Sequence, residues 1–164
     1  MQALGRHLLL ELFDCDAEAL NSLETVKASM VEAAKRAQAT IVDVVFHEFN
    51  PFGISGVVVI AESHLAIHTW PEYRFAAVDI FSCGDVLQPQ TAANYLVEQF
   101  GASRASVVEL QRGIFLQASP MPHKPAGARA SGAKAPVARA PMVKVPVAKV
   151  SVAKVSVAKV SVGG

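Results

Sequence analysis

The chain has 164 residues, 52% of them apolar and 18% charged, which suits one domain with a sizeable core and excludes a wholly disordered chain. Its formal net charge of +1 averages two unlike segments: residues 1–117 hold fourteen acidic and seven basic residues, a net of −7, while residues 118–164 hold eight basic residues and no acidic one. Two cysteines, Cys15 and Cys83, are too few for a disulfide framework; no apolar run is long enough to span a bilayer, and the opening MQALGRHLLLEL lacks a signal-peptide pattern, so a cytoplasmic protein with Cys83 as a free thiol is expected.

In chain order, GRHLLLELFDC (5–15) is apolar and short enough for a strand. Asp14 or Asp16 can cap a helix that follows, and Leu23, Val26, Met30 and Ala33/Ala34 recur at helical spacing, which predicts one amphipathic helix over 17–37. ATIVDVVFHEF (39–49) is β-branched and strand-like, and NPFG (50–53) is turn chemistry, with Pro51 fixing φ and Gly53 free to take a positive one. GVVVIAES (56–63) and HLAIHTW (64–70) read as continuing strand up to Pro71, and RFAAVDIFSC (74–83) as another strand. PQTAANYLVEQF (89–100) is a second helix bounded by Pro89 and Gly101, and ASVVELQRGIF (105–115) a last strand. The implied fold is α+β: a two-layer sandwich of an antiparallel sheet with two main helices on one face. The other face must be solvated or packed on a partner, and its apolar content favours a partner.

From Pro120 the composition changes. Basic residues recur every five positions from Lys124 to Lys159, and VAKVS repeats from Val147. That period matches neither strand nor helix, so residues 118–164 are expected to form a basic, low-complexity, disordered tail behind a folded domain over 1–117.

The stretch ESHLAIHTWPE (62–72) carries more chemistry than a buried strand needs. In an extended chain Ser63, Leu65, Ile67 and Thr69 share one face, and His64, Ala66, His68 and Trp70 the other, with Glu72 past the end. A half-buried strand with hydrogen-bonded histidines is the bland alternative; polar groups on both faces beside an aromatic platform favour a site. Gly53–Ile54–Ser55–Gly56 does not fit a nucleophile elbow, because a turn leads there into a strand rather than a strand into a helix. His64, His68 and Cys83 could hold zinc, but no metal-site spacing supports it, and there is no glycine-rich phosphate loop.

GRHLLLELFDCD, FHEFNPFGISGVVVIAESHLAIHTWPEY and VDIFSCGD together resemble the prokaryotic S-adenosylmethionine decarboxylase family over residues 4 to about 115, the basic tail excepted. The resemblance implies a proenzyme that cuts itself between Glu62 and Ser63. The Ser63 hydroxyl attacks the preceding carbonyl to give an ester, elimination releases the chain ending at Glu62, and loss of ammonia leaves an N-terminal pyruvoyl group at position 63. Ser55 and His68 match residues that assist processing, His68 as proton acceptor. The pyruvoyl group, in place of pyridoxal phosphate and without a metal, then forms a Schiff base with the substrate amine and accepts electrons as CO₂ leaves. Cys83 matches the proton donor, although a small buried apolar role is the commoner fate of a free cysteine.

For S-adenosylmethionine, the resemblance places Phe49 on the purine, Glu72 on the ribose diol, and Trp70 and Leu65 around the pocket; stacking, cation–π attraction and a double acceptor suit those groups. His7 and His47 have no assignment and read as structural. The product implied is decarboxylated S-adenosylmethionine, the aminopropyl donor for spermidine synthesis. The resemblance also implies a homodimer of cleaved chains packed through their sheets, with Ser63 and Cys83 of one chain meeting Phe49, Ser55, His68 and Glu72 of the other. Two alternatives stay open: an arginine or ornithine decarboxylase on the same scaffold, and a polyanion-binding protein acting through its tail. The tail itself is expected to be an accessory that binds polyanions weakly at most, and no membrane partner is expected.

Overall fold

The structure, a computed structural model, describes residues 2–83 and 86–115. Six strands form one antiparallel sheet: β1 (Gln2–Phe13), β2 (Ile41–Glu48), β3 (Ile54–Ile60), β4 (Ser63–Trp70), β5 (Phe75–Ser82) and β6 (Arg104–Phe115), in the order β2-β3-β4-β5-β1-β6. Between them lie α1 (Ala17–Asn21), α2 (Leu23–Arg36) and α3 (Pro89–Gln99). All three pack on the same sheet face, giving the two-layer α+β sandwich that the pattern implies. The tail expected over 118–164 lies outside the described residues.

Alternation along each strand decides which face is covered. Leu8, Leu10 and Leu12 of β1, Ile54, Val58 and Ile60 of β3, Leu65 and Ile67 of β4, and Val78 and Ile80 of β5 all turn toward the helices and are almost fully buried. Val26, Met30, Ala33 and Ala34 of α2 and Ala92, Ala93 and Leu96 of α3 close on them. Phe100, wholly buried, fills the end of that core.

Two expectations are corrected. The single helix over 17–37 is broken at Ser22, whose extended ψ of 109° ends α1. Its hydroxyl then caps α2, accepting from the Thr25 amide at 3.2 Å. The break has a structural use. It leaves the Leu20 carbonyl free to accept from the Thr69 hydroxyl at 2.9 Å and the Asn21 side chain free to accept from the Gly53 amide at 3.2 Å. The end of α1 is thereby tied to the strands and loop around the 49–55 segment.

The second correction concerns residues 56–70, which form a hairpin and not a continuing strand. Ile60 pairs with Ser63, so Ala61 and Glu62 alone make the turn. Among the described residues the non-glycine positive-φ positions are Asp14, Gln38 and Arg74, so this turn has neither of the primed geometries favoured in two-residue loops. It is held instead from outside. Thr40 accepts from the Ala61 amide at 2.8 Å and donates its own amide to the Glu62 carboxylate at 3.1 Å.

Candidate active site

β4 lies inside the sheet, between β3 and β5, and carries chemistry at both ends. At the Trp70 end, Ser55 of β3 stands opposite His68, and their Oγ and Nδ1 atoms are 2.7 Å apart. Trp70 follows on the same face, its ring 6.2 Å from that of His68 and 5.5 Å from Phe75. The 3₁₀ turn Pro71–Tyr73 then presents Glu72 to solvent. Phe49, half exposed, lies across β3 in the loop after β2, packed edge-on against His47 at 4.7 Å.

That loop is fixed rather than free. The Phe49 amide donates to the Gly53 carbonyl at 2.8 Å, and the Ile54 amide donates to the Thr69 hydroxyl at 2.9 Å. Gly53 has φ +100°, and a Cβ there would approach the Thr69 carbonyl to 3.1 Å, so glycine is required by conformation and by space.

The other end of β4 holds the Glu62–Ser63 bond. The Glu62 carbonyl accepts from the Cys83 amide at 2.9 Å, so the hydrogen-bond donor on that carbonyl comes from the end of β5. Ser63 opposes Ser82 in the sheet. The Ser82 hydroxyl is buried without a hydrogen-bond partner among the described residues. Gly5 of β1 lets this corner close: a Cβ there would lie 2.5 Å from the Ser82 carbonyl and 3.2 Å from Cys83 Sγ. The Cys83 side chain is exposed.

Ser63 Oγ lies 3.3 Å from Nδ1 of His64, a residue that the sequence pattern offers only as a poorly spaced zinc ligand. His64 belongs to an aromatic and charged group on the open face, 6.3 Å from the His7 ring and 5.8 Å from Phe81. Burial, and then the electrostatic influence of the nearby His7, push the His64 pKa below the ordinary imidazole value, while Asp79 acts in the opposite direction. His7 Nδ1 is 3.0 Å from Arg112 Nη1. A guanidinium can only donate, so His7 Nδ1 accepts and its proton sits on Nε2. Nε2 faces Asp79 at 3.3 Å without the alignment of a hydrogen bond. The signal for this cluster was present in strand parity, because His7, His64 and Asp79 alternate with buried residues on adjacent strands.

The candidate residues therefore form two groups. Phe49, Ser55, His68, Trp70 and Glu72 sit at one end of the hairpin, and Glu62, Ser63 and Cys83 at the other. The five residue steps of strand from Ser63 to His68 span about 16 Å. Leu65 joins neither group, being fully buried under the helices. His64 and His68 share a face but stand four residues apart, and among the described residues no three His, Cys, Asp or Glu side chains come together as metal ligands. No helix of the described residues is long and apolar enough to cross a membrane.

The fold and site define a two-layer α+β protein with a serine at a hairpin junction and two polar groups at opposite ends of one strand. A sequence profile described as S-adenosylmethionine decarboxylase matches residues 6–113. A protein of Thermodesulfovibrio yellowstonii named S-adenosylmethionine decarboxylase proenzyme is 60% identical over 125 residues, covering 76% of this chain and 93% of its own. One from Acidithiobacillus ferrooxidans with the same name is 52% identical over 113 residues, covering 69% and 85%. The crystal structure of the adenosylmethionine decarboxylase from Aquifex aeolicus superposes with a TM-score of 0.68 at 34% identity, over 74% of this chain and all of that one. The chain belongs to the S-adenosylmethionine decarboxylase family.

Proposed function

We propose that this chain is a self-processing S-adenosylmethionine decarboxylase of the cytoplasm. It cuts its own Glu62–Ser63 bond, converts Ser63 into a pyruvoyl group and releases CO₂ from S-adenosylmethionine, so that the product can donate an aminopropyl group for spermidine synthesis. The observation that carries this reading is the set of contacts at that one bond. The Glu62 carbonyl is already polarised by the Cys83 amide at 2.9 Å, and the Ser63 hydroxyl follows directly after the turn with an imidazole nitrogen at 3.3 Å. The relatives' name, proenzyme, agrees with a chain made whole and cut later. A group made from Ser63 would sit directly after the Glu62 carbonyl that the Cys83 amide holds, at the corner where the Cys83 side chain is exposed.

Once formed, the pyruvoyl carbonyl supplies the electron sink that pyridoxal phosphate provides elsewhere. The chain's own residues bind and move protons. Phe49 and Trp70 offer exposed aromatic faces to the purine and the sulfonium cation, and the Glu72 carboxylate accepts from the ribose diol. The Cys83 thiol delivers the proton that replaces the lost carboxylate. His68, held by Ser55, serves as proton acceptor in processing. Leu65 braces this strand from the core side.

Two groups about 16 Å apart cannot act together within one chain. A symmetric homodimer packed through the open sheet faces would bring the Ser63–Cys83 end of one protomer to the Phe49–Ser55–His68–Glu72 end of its partner. The exposed apolar residues Val45, Trp70 and Leu110 on that face support such packing. Residues 118–164 are an accessory outside this apparatus, able to bind polyanions weakly.

Intact-mass analysis of the purified protein tests the reading. The expected pieces have 62 and 102 residues, together the 164 of the chain, and the larger lacks a free amine. S-adenosylmethionine, and neither arginine nor ornithine, should release CO₂, while Ser63→Ala should give one inactive chain. An uncut wild-type chain with active decarboxylation would sink the proposed chemistry.

A further inference from the structure

We infer that His64 is the base that starts self-cleavage, taking the Ser63 hydroxyl proton within the same chain before any residue of a second protomer is needed. This rests on the function proposed above and deepens it. His68 cannot do this locally, since it lies about 16 Å further along the strand. Ser63 Oγ has one imidazole nitrogen within hydrogen-bonding distance among the described residues, His64 Nδ1 at 3.3 Å. For Nδ1 to accept, the ring proton must sit on Nε2.

The surroundings favour the neutral form that a base requires. His64 is packed edge-on against Phe81 and His7, and its lowered pKa keeps it unprotonated at neutral pH. The acceptor side is equally prepared, with the Cys83 amide donating to the Glu62 carbonyl that will carry the developing charge. The step balances without any outside reagent. Ser63 Oγ bonds to the Glu62 carbonyl carbon, and the bond from that carbon to the Ser63 nitrogen breaks. The proton leaving Oγ passes to His64 Nδ1 and is returned to the Ser63 nitrogen, now a free amine beside an ester.

His64 and His68 then divide the work. His64 makes the ester, and His68 serves the elimination that follows. Hydroxylamine separates the two, because it cleaves an ester at Glu62 but leaves the peptide bond intact. Freshly purified chains should be incubated with and without hydroxylamine and followed by mass spectrometry. His68→Ala should accumulate a chain that hydroxylamine cuts after Glu62. His64→Ala should stay whole in both conditions, its cleavage slowed about 10²- to 10⁴-fold, with partial rescue by added imidazole. His64→Phe keeps a ring against Phe81 and His7 while removing Nδ1, and should be blocked in the same way if His64→Ala fails to fold. Cleavage of either His64 variant at the wild-type rate, or an ester accumulating in them, would overturn the inference. Failure of the wild-type chain to cut between Glu62 and Ser63 would instead remove the proposed function beneath it.

Discussion

The two faces of the sheet are built from the same strands and do opposite things. Along β4, Leu65, Ile67 and Thr69 point under the helices and are buried, whereas His64, His68 and Trp70 point to the open side. β5 repeats the division, with Val78 and Ile80 in the core and Asp79 and Phe81 outside. The covered face stabilises the fold through burial of aliphatic side chains, at roughly 25 cal/mol per Å² removed from water. The open face retains titratable groups that no helix covers. A single strand can therefore carry a rigid anchor and a reactive surface, because its side chains alternate every residue.

The largest way to break this division is Cys83→Ala. The amide that holds the Glu62 carbonyl is backbone and survives the substitution, so chain cleavage should proceed normally. Turnover should fall about 10²- to 10⁴-fold through loss of a positioned proton donor. Misplaced protonation should also move the substrate's amine onto the larger fragment, which mass spectrometry would detect as that fragment loses its carbonyl. Unchanged turnover would remove Cys83 from its role as proton donor.

Leu65→Ala sharpens the comparison from the covered side. Leu65 is completely buried, and its truncation should cost about 2–5 kcal/mol. His68→Ala, on the open face, should cost about 1 kcal/mol or less. Thermal unfolding, measured with Ser63→Ala added so that every sample is one uncut chain, compares the two. If Leu65→Ala left the melting temperature alone there and, in the chain that keeps Ser63, only raised KM, Leu65 would belong to the pocket wall and the division would fail.

Most of the architecture was legible in the sequence because its elements have clear periods and clear ends. Val26, Met30 and Ala33 mark one side of α2, and Pro89 and Gly101 bracket α3. The hairpin at Ala61–Glu62 was not legible. Buried residues fall on even numbers in β3 (Val58, Ile60) and on odd numbers in β4 (Leu65, Ile67), a change of phase that marks a turn. Val57 and Val59 are also apolar, which hides the phase, and the turn holds neither glycine nor asparagine. The break at Ser22 was missed for a related reason: helical spacing of apolar residues continues across it, while a capping serine reads equally well as an ordinary surface residue. As for the site, ESHLAIHTWPE drew attention through its composition, but only the register reveals that its two ends are separate and that His64, not His68, touches Ser63.

Asp79→Asn is the subtlest test of the open face. The His64 pKa is depressed mainly by burial and further by His7 from β1; Asp79 from β5 raises it, Arg112 from β6 contacts His7, and Val59 opposite on β3 is apolar. A depressed pKa leaves the imidazole neutral to below its ordinary value of 6.5, so ester formation should hold steady near neutrality and fall only as pH drops through that lowered value. The same shift means that stability is present above the unfolded pKa and declines as pH falls toward the folded one, since the unfolded chain binds the proton first. Removing the Asp79 charge removes the one influence that favours protonated His64, which lowers the pKa further. The acid limb of ester formation should therefore move to lower pH, by less than about one unit. Hydroxylamine-dependent cleavage in a His68→Ala background isolates this step from the elimination. A limb displaced to higher pH would mean that the titrating group is stabilised by losing Asp79, which His64 in this position cannot be.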